Sequence, residues 1–412
     1  MSTAMRSALA AGLVLACSAG LFAQEEQRDW KIFGEKVYTA TGDVIENGTV
    51  AVAGGKIRGV TGGTRGGDGK NSLRAAAVTP GMVDLSVRVG AGTDSVEQSR
   101  EVAPDMRTAE SVDVFDVDWD VQARSGVTTA LVCAPDFDVI GGLGVVVKTA
   151  GPSGVRARTV KADAVLRGAI GSQPSFRNHP AFGRPDDFFS RRPTTRMGVE
   201  WELRKAFYDA AAARGSDERA FPGSDELRSV LEGTRPLMLQ TWTTQDIRTA
   251  IFFKEEMESE GLGHPRLILD AAAEAWKEPD LLARSGAAVV LPPYPLDGRT
   301  SDNSFMTLDS AKLVHDLGLP LALSAHGSGD PAARLDRQAG FAMRGGLSFE
   351  AALQAVTIAP ARMVGVDDRV GSIEAGKDAD LVLWSGTPFE TSSRVIGVVI
   401  DGRLVLDPRP TE

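Results

Sequence analysis

Three polar side chains alternate with apolar ones in the segment TPGMVDLSVRVG, residues 79–90. Residues two positions apart in a β-strand point to the same face, so Asp84, Ser86 and Arg88 share one face. Two histidines at positions 86 and 88 would direct both imidazoles at a single zinc ion. A serine hydroxyl is a poor zinc ligand, and the arginine guanidinium has no lone pair and stays charged. The strand therefore presents a serine and an arginine at two positions whose spacing would suit a pair of metal-binding histidines.

The four histidines of the chain do not suggest a metal site elsewhere. His179 and His264 each precede a proline in stretches that read as loops, and His315 lies in a predicted helix. Only His326, in LSAHG, follows the carboxyl end of a predicted strand, where parallel barrels build their sites. A hydrolytic zinc needs about three protein ligands and an open water position. His326 is thus a candidate pocket residue or a rim residue with a structural role.

The elements that must position these residues change character twice along the chain. Residues 30–78 show short alternating runs and turn signals such as Gly54-Gly55. Over residues 79–365, apolar strands such as LGVVVKT alternate with helical stretches such as TQDIRTAIFFKEEMESEG, which favours buried parallel strands. Residues 366–412 return to short strands, with an Asp-Gly turn at 401–402. We therefore predict an α/β fold: a (β/α)8 TIM barrel over 79–365, with a small composite β-sandwich built from 30–78 plus 366–412.

Composition and the first residues of the chain bear on its partners and its location. The 412 residues include 45 Lys and Arg against 55 Asp and Glu, a net charge of −10, without a basic run that would favour nucleic-acid binding. Residues 1–23, with Arg6 before a small-residue apolar stretch, predict an export signal and hence a periplasmic or cell-envelope protein. The sequence leaves two ways of processing this segment open. One is cleavage after Ala23, and the other is lipid attachment at Cys17, which would anchor a lipoprotein to a membrane. Cleavage leaves Cys133 as the only cysteine, which allows no intrachain disulfide.

Both ends of the chain resemble those of the amidohydrolase superfamily. The segments GTVAVAGGKIRGV, VTPGMVDL, GSIEAGKDADLVLW and VIDGRLV carry the likeness at the ends, and IGGLGVVVK and TRMG carry it in between. The most similar subgroup is the imidazolonepropionase-like amidohydrolases. The resemblance implies a metal-dependent TIM barrel that hydrolyses C–N bonds in amides or cyclic amidines, with one or two divalent ions such as zinc.

The same resemblance places most of the family's metal-site positions on residues of other types. The substituted positions are Ser86 and Arg88 for the first-strand pair, Gln240 and Trp242 for the next histidine strand, Asp270 or Ala271 for a further ligand, and Ala325 for the aspartate that would act on the attacking water. Lys148 stands at the position of a lysine that the family sometimes carboxylates to bridge two metals. We therefore predict that the chain holds no metal and no other cofactor.

Several of these residues have a structural interpretation beside a functional one. Arg88 either replaces a lost positive charge, paired with Asp84, or fills vacated volume between strands. Lys148 is expected as an unmodified amine, with its pKa lowered by like-charge repulsion if it lies near Arg88. Gln240 and Trp242 either pack in the core or narrow a polar pocket into an aromatic one.

The longest irregular stretch, residues 177–198, is a candidate lid over the site. It is rich in Arg, Pro and Phe, and long loops at a barrel rim often cover the site. Arg191, Arg192 or Arg196 would then recognise an anionic group. A surface loop and a subunit contact are the alternative interpretations.

The residues support three functional hypotheses. The first is a degenerate, metal-free amidohydrolase that binds a small-molecule ligand or forms a hetero-oligomer with an active relative. The second is an active hydrolase with a rebuilt site around Lys148, Asp270 and His326. The third is a structural or interaction role in the cell envelope, with the barrel as scaffold. Loss of a metal-bound water, whose pKa is about 7 rather than about 16, favours the first hypothesis.

Overall fold

The computed structural model describes residues 28–42, 44–63, 69–176, 178, 192–215, 220–295, 304–326 and 333–409. The predicted export segment 1–23 with Cys17, and also His179 and Arg191, lie outside the described residues. Within them the chain forms two β-sheets and a set of surrounding helices. No helix of the described part is both long enough and apolar enough to cross a membrane.

The first sheet is built from both ends of the chain. Its seven strands are β1 Trp30–Tyr38, β2 Val44–Ala53, β3 Lys56–Thr61, β4 Ser72–Pro80, β13 Leu381–Trp384, β14 Val395–Ile400 and β15 Arg403–Leu406. They lie in the order β15-β14-β13-β4-β1-β2-β3, and the antiparallel pairing of β4 with β13 joins the two ends. Asp401 and Gly402 both have positive φ in the turn between β14 and β15, as an Asp-Gly hairpin requires. The composite sheet is therefore as predicted.

The second sheet has eight strands that are adjacent in chain order. They are β5 Met82–Val87, β6 Val127–Val132, β7 Ile140–Lys148, β8 Thr159–Ala169, β9 Leu237–Gln240, β10 Leu267–Asp270, β11 Ala288–Leu291 and β12 Leu321–Leu323. Nearly all of their side chains are buried from β9 to β12, as expected when helices cover a sheet that encloses its own core. This nearly closed barrel confirms the predicted fold class.

One strand of the barrel runs against the predicted direction. The strand β7, which contains LGVVVKT, pairs antiparallel with both β6 and β8, so its prediction as a parallel strand was wrong. Only residues 133–139 separate β6 from β7, and a parallel crossover needs about a dozen residues or more. The reversal places Lys148, the last residue of β7, opposite Thr129 near the amino end of β6.

A side chain spans the seam of the barrel. The strands β5 and β12 form the two edges of the sheet order. The buried carboxylate of Asp84 in β5 accepts hydrogen bonds from Ser324 Oγ at 2.6 Å and from the Ala325 backbone N–H at 2.9 Å, both just after β12. Burial raises the pKa of Asp84 above its ordinary value. Asp84 therefore ties the first barrel strand to the last.

Helices pack around the barrel and connect its strands. They are α1 Asp118–Arg124, α2 Val155–Arg158, α3 Arg196–Ala212, α4 Ser224–Leu231, α5 Thr244–Ser259, α6 Pro279–Ser285, α7 Ser310–Asp316, α8 Leu335–Arg344, α9 Phe349–Ala355 and α10 Ile358–Val364. The helix predicted from TQDIRTAIFFKEEMESEG is α5, and it begins with a capping box. Thr243 Oγ1 accepts from the Asp246 backbone N–H while the Asp246 carboxylate accepts from the Thr243 N–H.

Candidate functional site

Polar side chains converge where the carboxyl ends of β5, β6, β8, β9 and β10 meet. Barrel proteins build their sites at this end, because side chains from several strands and the loops after them meet there. We call this set the barrel-mouth network; it consists of Ser86, Arg88, Asp136, Arg167, Gln240 and Asp270. Each residue lies in a strand or shortly after one. All of them except Arg88 are buried.

Arg167 lies at the centre of the barrel-mouth network. Its Nε donates to Asp136 Oδ1 at 2.7 Å and its Nη2 to Asp270 Oδ2 at 2.7 Å, while Ser86 Oγ donates to Asp270 Oδ2 at 3.1 Å. Burial alone would lower the pKa of Arg167, but the two carboxylates raise it above its ordinary value. Burial alone would raise the pKa of Asp270, but the Arg167 charge holds it below its ordinary value. Two buried carboxylates thus share one permanent cation.

The second arginine of the network also binds Asp136. Asp136 Oδ2 accepts hydrogen bonds from Arg88 Nη2 at 2.9 Å and from Gln240 Nε2 at 2.7 Å. The interpretation in which Arg88 pairs with Asp84 was therefore wrong. Asp84 is held in the seam between β5 and β12, whereas the loop after β6 brings Asp136 to Arg88.

Three buried polar atoms at the mouth have no hydrogen-bond partner among the described residues. They are Gln240 Oε1, Asp270 Oδ1 and His326 Nε2. Gln240 and Asp270 are register neighbours on β9 and β10, and the Trp242 ring meets the His326 ring edge-on at 5.4 Å. Burial lowers the pKa of His326 to about 4, against the attraction of Asp270, so the ring is neutral at pH 7. Because unsatisfied buried polar atoms are costly, the mouth retains hydrogen-bonding capacity that a ligand or water would satisfy.

Backbone conformation distinguishes the same end of the barrel. Ala271, directly after β10, has a φ of 53°, and His326, shortly after β12, has a φ of 52°. Residues with a Cβ rarely adopt this left-handed region, and such strained positions cluster at binding and active sites. Ala271 and His326 are therefore held in a left-handed backbone conformation that their residue types disfavour.

The network residues do not fit a divalent metal ion. Both oxygens of Asp136 and one oxygen of Asp270 already accept hydrogen bonds from guanidinium or amide groups. The charges of Arg88 and Arg167 oppose a further cation at the same carboxylates. Within the described ranges, no group of three or more His, Cys, Asp or Glu side chains is arranged to hold a metal. The donor chemistry of the mouth therefore suits a guanidinium rather than zinc.

Lys148 lies away from the barrel mouth, against the composite sheet. Its buried Nζ contacts Asp380 Oδ2 at 2.6 Å, Asp378 Oδ2 at 3.0 Å and Asp401 Oδ1 at 3.3 Å. Burial alone would lower the pKa of Lys148, but these carboxylates raise it to about 12. The prediction of a lowered pKa beside Arg88 was wrong, because the reversed β7 carries the amine to the other end of the barrel. Lys148 joins the barrel to the composite sheet.

The two described arginines of the candidate lid have partners of their own. Arg196 begins α3 and forms an ion pair with Asp246, which is buried at the start of α5. Arg192 lies over the ring of Trp201, with 5.8 Å from the guanidinium carbon to the ring centroid. The guanidinium of Arg196 is therefore already committed to a carboxylate rather than presented to an anionic ligand.

Asp136 and Arg167, which complete the network, were not predicted from the sequence. Arg167 had a signal, because a charged residue inside the apolar strand AVLRGAI is seldom buried without a partner. Asp136 follows β6 at its carboxyl end, where barrel sites form.

The gap bordered by Ser86, Arg88, Asp136 and Arg167 measures about 10 Å³, which is room for about one water molecule. The network side chains thus fill most of the space between them.

Known proteins resemble this chain in sequence and in fold. A sequence profile described as the amidohydrolase family matches residues 298–405. The amidohydrolase tasK of Hapsidospora irregularis is 25% identical over 369 residues, which cover 80% of this chain and 36% of that protein. The chain thus spans about a third of the length of that curated relative.

Solved structures extend the likeness over the described barrel and sheet. An amidohydrolase from Thermotoga maritima MSB8 is 27% identical with a TM-score of 0.79, covering 92% of this chain and 100% of that one. An adenosine deaminase from Xanthomonas campestris with bound zinc is 20% identical with a TM-score of 0.51, covering 92% of this chain and 93% of that one. The second structure shares the fold alone.

Proposed function

We propose that this chain, which belongs to the amidohydrolase superfamily, is a degenerate member that binds a ligand or a partner protein without metal-dependent hydrolysis. The position of Arg167 between Asp136 and Asp270 carries the proposal. A metal ion in such a barrel lowers the pKa of a bound water from about 16 to about 7. A guanidinium supplies positive charge to the carboxylates but has no lone-pair-accepting orbital for water, so it cannot generate hydroxide in this way.

The barrel mouth is the proposed ligand site. Gln240 Oε1, Asp270 Oδ1 and His326 Nε2 are buried and unpartnered among the described residues, and they offer hydrogen bonds to a small molecule that carries donor groups. Trp242 borders them with an aromatic surface. The alternative to a small-molecule ligand is a protein partner, an active amidohydrolase relative with which the chain would form a hetero-oligomer. Export through residues 1–23 and the imidazolonepropionase-like subgroup remain predictions that accompany the proposal.

An active hydrolase with a rebuilt site is the second candidate function. One observation favours it: Asp270 Oδ1 and His326 Nε2 both lack a partner among the described residues at the mouth, as an acid–base pair awaiting substrate would. Lys148, which was part of this hypothesis, is not available to it, because three carboxylates surround its amine at the other end of the barrel.

Metal content and hydrolysis together test the proposal. We expect elemental analysis of the purified, dialysed protein to find less than stoichiometric zinc, manganese or iron. The zinc-bound deaminase from Xanthomonas campestris serves as the positive control. We also expect no turnover of amides or cyclic amidines, with or without added zinc. Stoichiometric metal would overturn the proposal, and turnover without metal that Asp270→Asn abolishes would establish the second candidate instead.

A further inference from the structure

A groove outside the barrel mouth has the size of a small-molecule site. It lies between α8 and the connection from β13 to β14, residues 385–394, and its volume is about 980 Å³. Ligand sites for small organic molecules commonly measure about 300–1,000 Å³. We call it the arginine groove. Its residues take no part in the barrel-mouth network, so a ligand bound in the groove would not depend on the proposed function.

Positive charge is concentrated along the arginine groove. Arg337, Phe341 and Arg344 stand four and three positions apart on α8 and so line one face of the helix, and Arg394 stands on the opposite wall. Among the described residues, none of these three arginines forms a side-chain ion pair. Glu390 borders the groove as well, and so does the ion pair between Arg334 and Asp336. The chain as a whole has a net charge of −10, whereas this groove has three arginines without carboxylate partners among the described residues.

The floor of the groove is aromatic. Phe341, Phe389 and the buried Trp384 line it, and the rings of Trp384 and Phe389 meet edge-on at 5.4 Å. Trp384 Nε1 donates to Thr79 Oγ1, so the indole offers the groove an apolar surface and no donor. Ser393 Oγ, in the same lining, is buried and has no hydrogen-bond partner among the described residues. The aromatic rings thus provide the groove with an apolar surface.

We propose that the arginine groove binds a small organic anion: a carboxylate, phosphate or sulfonate attached to a flat apolar body. Guanidinium groups pair with such oxyanions through two parallel hydrogen bonds and stack on flat rings. Arg337, Arg344 and Arg394 would hold the anionic group. Phe341 and Phe389 would contact the apolar body.

Two fluorescent probes that differ by one anionic group test the proposal on the full-length protein. 8-Anilinonaphthalene-1-sulfonate carries a sulfonate on an aromatic body, and N-phenyl-1-naphthylamine has the same body without the charge. We expect saturable 1:1 binding of the sulfonate that is weakened by salt, and weaker binding of the neutral probe. We expect inorganic phosphate to compete only weakly, because it lacks the apolar body.

Variants locate the bound probe. The double variant Arg337→Ala/Arg344→Ala should weaken sulfonate binding by about a hundredfold, since hydrogen bonds to charged groups contribute about tenfold each. It should leave binding of the neutral probe nearly unchanged. Arg214→Ala, an exposed arginine that does not line the groove, is the matched control and should bind like the wild type. The single variant Arg394→Ala, on the opposite wall, covers the case in which the double variant does not fold. Equal binding of both probes, or equal sulfonate affinity in every folded variant, would overturn the proposal.

Discussion

Replacing Arg167 with methionine removes the cation that Asp136 and Asp270 share. Asp136 keeps hydrogen bonds from Arg88 and Gln240, whereas Asp270 keeps only the Ser86 hydroxyl. Asp270 would then be a buried charge with no cation hydrogen-bonded to it, and the half-exposed Arg88 would act on it only at longer range. Removing one partner of a buried ion pair costs about 3–5 kcal/mol. For a chain of 412 residues that loss lowers the unfolding midpoint by about 4–6 °C.

Thermal unfolding and urea unfolding at pH 7 measure this loss. Arg107→Met is the matched control, because the Arg107–Asp163 pair is 48% and 25% exposed and should contribute about 0–1 kcal/mol. The double variant Arg167→Met/Asp270→Asn should regain much of the lost stability, since it removes the uncompensated charge together with the cation.

Added metal ions test whether Arg167 supplies positive charge to Asp136 and Asp270 or only fills the space between them. Without Arg167, Asp136 Oδ1 and both oxygens of Asp270 have no guanidinium on them, although Arg88 still binds Asp136 Oδ2. Zinc or manganese should therefore raise the unfolding midpoint of Arg167→Met and leave the wild type unchanged. An ion at about a hundred times its dissociation constant stabilises by about 2.7 kcal/mol. A loss no larger than that of Arg107→Met would disprove the role of Arg167 as a shared cation, and so would equal stabilisation of both proteins by metal.

Two further predictions concern Lys148 and His326. Lys148→Met should lose about 3–5 kcal/mol in urea unfolding, because it leaves buried Asp380 without its cation. Lys56→Met should lose only about 0–1 kcal/mol, because Lys56 is 44% exposed and its buried partner Asp378 keeps Lys148 and Arg369; similar losses in the two variants would contradict the structural role of Lys148. The pKa of His326 is about 4 in the folded protein and 6.5 in the unfolded chain. Between these two pH values the unfolded state binds more protons than the folded state. The contribution of His326 to the free energy of unfolding is therefore fully present above pH 6.5 and is lost as the pH falls toward 4. NMR titration should show its ring titrating near 4, with the signal assigned through His326→Gln; a midpoint above 6 would contradict its burial as a neutral ring.

Local sequence pattern was enough to predict the architecture. Apolar runs separated by helical stretches indicated the barrel, and turn pairs such as Gly54-Gly55 and Asp401-Gly402 indicated the hairpins of the composite sheet. These features depend on neighbours within a few residues, which is the range over which propensity and alternation act. The direction of β7 was missed because strand direction depends on connection length as well as on the strand itself.

Residue types by themselves determined that Ser86, Arg88 and Gln240, rather than histidines, stand at strand positions where the amidohydrolase resemblance would place metal-binding side chains. The partners of these residues were decided only by the tertiary structure. Arg167 meets Asp136 and Asp270 across sequence separations of 31 and 103 residues, and Lys148 meets Asp380 across 232. No local preference encodes such contacts, because they arise when barrel closure brings distant strand ends within hydrogen-bonding distance. The sequence therefore determined which residue types stand at the ends of these barrel strands, and the fold decided which carboxylates the Arg167 guanidinium binds.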